Sequence, residues 1–461
     1  MAVETRVPDD DCEALTGWGR TAPTLARVHR PRGPAEAAAG VAAALRSPGA
    51  RGVIARGLGR APGDAARNAG GAVLDMTGLD RIRAVDARAG LVVCEAGVSL
   101  HRLMEVLLPL GRFVPVVPAT RYVTVGGAIA ADVHGGNQHV AGSFGRHVVS
   151  LELLTADGEV RTVLPGTPLF DATTGGLGLT GVILSAVLRL PAVETSLMTV
   201  DTERARDLDA LLALLADGDH RYAHSTARVD LLARGAATGR AVLTRGNPTP
   251  YDALPRRHPA RRAPLAFRPA RLPAPPPYVP GGLFGASAVL FPALWYRAGS
   301  RAATGRLRPL SGVFHPLDAV PHWNRLYGPE GSVPYRFVLP YGREEVLRGI
   351  VRRIADRRWP LPPAVLKRFG PGGPGLLSFP LPGWSLALDL PTGLPGLGAF
   401  LDALDEEVAD AGGRVCLAGD ARTRPEVAAA TYPRLGEFRA LRAALDPRSV
   451  LVSDLSRRLG L

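Results

Sequence analysis

The sequence predicts an α+β protein of two to three domains, and three observations carry that expectation. The 461 residues are 46 % apolar and 21 % charged, enough to bury more than one core at a usual domain size of about 150 residues. Up to about residue 190, short apolar runs alternate with helix-patterned stretches and end in glycine-rich turns. From about residue 194, strand candidates gather around one long proline-rich segment.

In chain order, Pro34 opens an alanine-rich helix that Ser47-Pro48-Gly49 stops. Residues 52–55 read as a short buried strand running into a glycine turn, and residues 72–76 and 91–94 as further strands. Ser99 caps a helix through Leu108. Residues 149–155 and 160–163, joined by Asp157-Gly158, alternate with period two and form a hairpin, and residues 181–190 are again β-rich. Farther on, residues 211–216 are the core of a helix, and residues 227–232, 241–244 and 335–339 are strands. Residues 343–359 are amphipathic, with Val346, Ile350, Val351 and Ile354 on one face. A helix over 397–411 is closed by Gly412-Gly413, and a last helical stretch covers 432–445.

Composition excludes several function classes. Of 55 lysines and arginines only Lys367 is a lysine, and it follows Leu366, so a GxxxxGK[ST] phosphate loop is absent. Residues 364–367 have a faint VAIK pattern, but neither HRD nor DFG occurs. A pyridoxal enzyme would have Lys367 alone to work with. Cys12, Cys94 and Cys416 show no CxxC spacing, so neither a disulfide framework nor a cysteine-held metal is expected. The first residues are acidic and no run of 18 apolar residues exists; the expectation is a soluble, cytoplasmic protein, with peripheral membrane contact left open.

The +13 net charge is mostly arginine spread along a glycine-, proline- and alanine-rich chain. The one dense patch is Arg256, Arg257, Arg261, Arg262, Arg268 and Arg271 among prolines, read as a mobile, solvated loop over about 252–282. An anionic or membrane-surface partner is its second reading, and sequence-specific nucleic-acid binding is not expected.

Chemistry concentrates in four glycine clusters. The first is Ala55-Arg56-Gly57-Leu58-Gly59-Arg60; a Rossmann fingerprint needs glycine at position 62, where Pro62 stands. The others are Thr124-Val125-Gly126-Gly127 continuing through Asp132 and His134, then Gly142-Ser143-Phe144-Gly145, and then 175–181. Four such turns beside strands line up backbone N–H groups along an extended polar ligand, and a dinucleotide fits that shape.

These motifs, with Leu15-Thr16-Gly17-Trp18-Gly19-Arg20, Phe314-His315-Pro316-Leu317-Asp318, Trp323-Asn324-Arg325, Lys367-Arg368-Phe369-Gly370-Pro371 and the 453–459 tail, resemble the vanillyl-alcohol oxidase superfamily. Within it the chain resembles the actinobacterial decaprenylphosphoryl-β-D-ribose 2′-oxidases over nearly its whole length. The resemblance implies a split architecture: residues 1–194 with 411–461 form an FAD-binding domain, and 195–410 an antiparallel-sheet substrate domain. It implies FAD held by Ala55, Arg56, Gly57, Leu58, Gly59, Arg60, Thr124, Val125, Gly126, Gly127, Asp132, His134, Gly142, Ser143, Gly145, Ile183 and Cys416. Arg60 stands where many members tether the flavin to a histidine, so noncovalent FAD is implied.

Oxidising an alcohol with a flavin requires a held hydroxyl carbon, a group to take its proton, and positive charge near the reduced ring. The resemblance places His134, Lys367, Asn324 and Arg325 in catalytic positions, and Arg228, Phe314, Leu317, Arg336, Phe369, Ser385 and Ala387 around the substrate. A satisfied turn histidine and a surface lysine are the competing readings. Against the second, the one retained lysine meets a need that arginine cannot.

The chain departs from the family pattern at Gly419 and Gly136, where the family has lysines, at Pro62 for a tyrosine, and at Ala387 for a cysteine. Arg228 replaces a tryptophan, and Pro334 and Arg336 replace glutamines. Two arginines entering as two lysines leave points to a new, anionic small-molecule substrate, with Arg228 and Arg336 pairing with its carboxylate or phosphate. An unchanged KM and turnover in Arg336→Gln would contradict this. The electron acceptor, O2 or quinone-like, is not specified. Two other classes compete: a flavoenzyme of amine oxidation, desaturation or oxidative cyclisation in specialised metabolism, and a flavin-fold binding protein without turnover.

Overall fold

The computed structural model describes residues 12–46, 51–275, 296–297 and 302–461. Three sheets organise them. The first holds β1 (Cys12–Leu15), β2 (Thr24–His29), β3 (Val53–Arg56) and β4 (Ala72–Asp75) in the order β1-β2-β4-β3, with β4 parallel to both its neighbours. The second is antiparallel and runs β5 (Ile82–Asp86), β6 (Leu91–Glu95), β9 (Val182–Arg189), β7 (Val148–Leu154), β8 (Val160–Val163).

The third sheet draws only on strands after residue 196. They are β10 (Leu197–Ala205), β11 (His224–Val229), β12 (Ala241–Pro248), β13 (Ala302–Pro309), β14 (Ser332–Pro340), β15 (Ala364–Phe369), β16 (Gly383–Pro391) and β17 (Arg414–Val415). Their spatial order is β13-β10-β12-β11-β15-β16-β14-β17, antiparallel throughout. Mixed helices and antiparallel sheets make this an α+β fold.

Parallel pairing has a consequence for the site. Going from β3 to the parallel β4 requires a crossover of about a dozen residues or more, and here residues 57–71 make it without a helix. That arch carries the first glycine cluster over the edge of the sheet.

Most expected elements are present, with shifted ends. The Pro34–Arg46 helix and Leu100–Leu107 helix stand where expected, the latter with the Ser99 hydroxyl accepting from Arg102 N; the 47–49 stop lies outside the described residues. The strand expected at 227–232 runs instead from His224 to Val229; it stops there because Asp230 leaves the sheet to accept from Leu232 N and pair with Arg240. The second glycine cluster is a helix, Val125–Ala130, capped by Thr124, rather than a turn. Tertiary packing of Val125, Ala128 and Ile129 overrides the low helix propensity of two glycines. The helix expected over 432–445 covers Leu435–Leu445, and Pro433 separates it from a preceding helix, Pro425–Thr431. In the Glu344–Asp356 helix the buried face is Leu347, Ile350, Val351 and Ile354, with Val346 at its edge.

Residues 276–282 of the arginine–proline segment lie outside the described residues. In the described part, Arg261 donates to the carbonyls of Leu254 and Pro255, and Leu272 N donates to Ala319 O. No helix among the described residues is long and apolar enough to cross a membrane.

Candidate active site

Strand alternation makes one face of the third sheet the wall of a cavity of about 770 Å3. Arg228, Val365, Ala387 and Arg336 stand in one register row across β11, β15, β16 and β14. Two residues along, Lys367 pairs with Ser385; two residues the other way, Asp389 pairs with Pro334. All of these line the cavity, while Leu366, Leu386 and Phe337 between them point into the opposite core. The facing wall comes from residues 55–62, Thr124, Gly126, Gly127, residues 133–134, Gly136, Ile183, Cys416 and Ala418. Phe314, Leu317, Trp323 and Asn324 close one side.

Asp389 is the sole carboxylate among the lining residues, against Arg56, Arg60, Arg228, Arg336 and Lys367. Arg56 is occupied by the carbonyls of Thr16 and Ala66. Arg60 lies over the Trp18 ring at 3.8 Å and donates to Tyr122 O. Asp389 hydrogen-bonds the Tyr327 hydroxyl; burial raises its carboxyl and, more strongly, the tyrosine. Arg228 and Arg336 form no ion pair among the described residues, and a guanidinium cannot shed its charge to relieve burial.

Lys367 lines the cavity, and its ammonium makes no hydrogen bond or ion pair among the described residues. Burial, reinforced by Arg336, lowers its ammonium from 10.5 to about 8. His134 is held well below its ordinary value by burial and then by Lys367 and Arg336. His224, which lines the cavity beside Lys367, falls to about 3 for the same first reason, with Lys367 and His139 adding to it. At neutral pH the cluster therefore has two neutral imidazoles, fixed guanidinium charge and one amine that exchanges its proton near the working range.

His134 is positioned from behind the wall. Asp132 adopts φ 40°, accepts Gly145 N at 2.9 Å and accepts the Ser378 hydroxyl. The His134 ring then packs edge-on to Phe369 at 5.0 Å and against Phe379 at 5.2 Å. Asn324 donates to Trp18 O at 2.9 Å, so it fixes the tryptophan under Arg60.

Against the expected set, the structure brings His134, Lys367, Asn324, Arg228, Phe314, Leu317, Arg336, Ser385 and Ala387 to one cavity. With them come Ala55, Arg56, Gly57, Leu58, Gly59, Arg60, Thr124, Gly126, Gly127, Ile183 and Cys416. Val125, Asp132, Gly142, Ser143, Gly145 and Phe369 do not line the cavity. Arg325 also lies off the cavity and donates to Pro275 O. Arg228 and Arg336 are three strand spacings apart, their backbones roughly 14 Å from each other across the sheet, and both side chains enter the same cavity.

Sequence reading missed His224, Asp389 and Tyr327. His224 and Gly136 are coupled: a Cβ on Gly136 would meet His224 Nε2 at 2.3 Å. The histidine thus occupies the room of any side chain at 136, and the signal was a glycine where a long residue was expected. Gly136→Ala should therefore destabilise by roughly 1–3 kcal/mol, and adding His224→Ala should recover most of it, as thermal melts of the three variants would show.

Comparison with known proteins places the chain in a family. The FAD binding domain family matches residues 26–164. The chain is 43% identical to decaprenylphosphoryl-beta-D-ribose oxidase of Mycolicibacterium smegmatis over 97% of both chains. It is 54% identical to an uncharacterized protein of Streptomyces coelicolor over 79% of this chain and 100% of the other. Alditol oxidase of a Streptomyces species is 32% identical over 39% of this chain and 43% of its own. The residues present fit FAD: glycine and alanine backbone at 55–66, 126–131 and 178–181 leaves an open strip for a flat, extended ligand. The cationic cluster at the sheet end suits a ring that gains negative charge. The protein is an FAD-dependent oxidoreductase belonging to the decaprenylphosphoryl-β-D-ribose oxidase family.

Proposed function

We propose that the enzyme oxidises a hydroxyl-bearing carbon of an anionic sugar or sugar-like substrate to a carbonyl, using noncovalently held FAD. The observation that carries this reading is Lys367, the sole lysine, facing the cavity with its ammonium lowered to about 8 between two neutral histidines. FAD supplies the two-electron, hydride-accepting centre. Lys367, as the free amine, takes the hydroxyl proton while the carbon–hydrogen bond breaks with its electron pair. His134, neutral and locked between two phenylalanines, orients the hydroxyl without adding charge. Ser385, beside Lys367 in register, offers a second hydroxyl contact. Residues 1–194 with the tail act as the cofactor-binding body of a vanillyl-alcohol-oxidase-type arrangement, and the third sheet, to which the tail adds β17, as the core of its substrate domain.

Arg228 anchors the substrate's anionic group. Its guanidinium is buried, lines the cavity and has no ion-pair partner among the described residues, so a ligand carboxylate or phosphate relieves a standing cost. The named activity of the mycobacterial relative, on a phosphoryl-linked ribose, agrees with such a group. With decaprenylphosphoryl ribose as probe, Arg228→Met should raise KM at least tenfold while rates with neutral alditols stay unchanged. Equal KM values in the two proteins would contradict the anchor. Acid precipitation should release the flavin into the supernatant; flavin retained in the pellet would contradict noncovalent attachment.

A further inference from the structure

Three of the positions where the chain departs from its family pattern meet at one point. A Cβ built on Gly419 would lie 3.3 Å from the Arg336 guanidinium and 4.0 Å from the Pro62 ring. The 416–419 turn is fastened directly to the strand bearing that arginine: Cys416 N donates to Arg336 O at 2.9 Å, and Val415 pairs with Phe337. Gly419 N closes the turn on Cys416 O. A side chain at 419 would thus compete with the guanidinium for the same space, between the first glycine arch and the sheet face. The guanidinium makes no direct salt bridge among the described residues; its field reaches the Asp389 carboxyl, which also hydrogen-bonds the Tyr327 hydroxyl.

We propose that Arg336 is the fixed cation facing the redox ring of the bound FAD, and that Gly419 is a glycine because Arg336 occupies the place from which residue 419 would otherwise deliver a charge. Arg336 and Gly419 are then a functional pair, with Pro62 as the apolar side of the same contact. The assignment rests on FAD occupying this cavity and not on which substrate is oxidised.

The test reads the flavin rather than turnover. Sulfite adds to flavins more tightly when positive charge stands beside the ring, and the same charge raises the reduction potential. Sulfite dissociation constants and dye-equilibrated potentials are measured on FAD-loaded wild type, Arg336→Gln, Arg336→Lys and the double variant Arg336→Gln with Gly419→Lys, each checked for equal FAD content. Arg336→Gln should weaken sulfite binding at least tenfold and make the potential more negative. Arg336→Lys should keep most of both properties. The double variant should recover them, because the lysine at 419 now has room. Sulfite affinity within twofold of wild type in Arg336→Gln would overturn the assignment, and a loss not recovered by the double variant would overturn the pairing. Since neither readout needs a substrate, they remain decisive if the proposed hydroxyl oxidation proves wrong.

Discussion

Lys367→Met should cut the rate of substrate-driven flavin bleaching by a factor of roughly 10²–10⁴, the usual contribution of a positioned proton acceptor, and should make the protein more stable. The two effects share one cause. Inside the fold the ammonium is lowered to about 8 from 10.5, so at neutral pH the folded state holds a charge that burial disfavours. That gap corresponds to roughly 3 kcal/mol of destabilisation. Below pH 8 both folded and unfolded chains are protonated and the cost is present in full. Between about 8 and 10.5 the unfolded chain binds the proton that the folded chain has released, so wild-type stability rises with pH. Above 10.5 the cost is gone. The melting temperature of Lys367→Met should accordingly exceed that of wild type at pH 7, and the difference should close as pH rises through that window. Wild-type turnover should rise through pH 8 as the free amine appears, and the variant's residual rate should show no such step. A variant that is inactive and no more stable would mean that Lys367 is not a buried, destabilising acid–base group.

The second large effect concerns a residue that never touches the cavity. Asp132→Ala should cost roughly 2–4 kcal/mol and leave purified protein with substoichiometric FAD. The buried carboxylate accepts from Gly145 N and the Ser378 hydroxyl, joining three separate segments behind the cofactor wall. Alanine would leave both donors unpaired and remove the contacts that hold residue 132 at φ 40°. Asparagine keeps one carbonyl oxygen for Gly145 N, so Asp132→Asn should retain more FAD than Asp132→Ala. The ratio of flavin to protein absorbance after gel filtration measures this directly, and full FAD content in Asp132→Ala would show that the clamp does not shape the site.

The contrast between Lys367 and Asp132 shows what the sequence made legible. Strands 53–56 and 91–95, the Ser99-capped helix and the Glu344–Asp356 helix follow from local pattern, because period and capping are short-range properties. Lys367 was conspicuous for being the sole lysine, and the glycine loops announced a ligand strip by composition. Asp132 is a cofactor contact only by family resemblance; its hydrogen bonds to Gly145 N and the Ser378 hydroxyl join segments far apart in the chain, and no local pattern reports that. Arg228 and Arg336 stand out in the sequence as new charges expected to meet a substrate anion. Their common register row depends on β15 and β16 lying between them, and strand order is a long-range property. His224 was invisible for the same reason: it matters only because β11 brings it against Gly136.

The most direct test of the account is anaerobic mixing of FAD-loaded wild type and Lys367→Met with decaprenylphosphoryl ribose and with a series of alditols, tracking the yellow flavin absorption. Wild type should be bleached by a hydroxyl donor at a rate rising through pH 8, and Lys367→Met should be slower by at least about a hundredfold. Bleaching at equal rates in the two proteins, or a wild type that binds FAD yet is bleached by none of these donors, would contradict it.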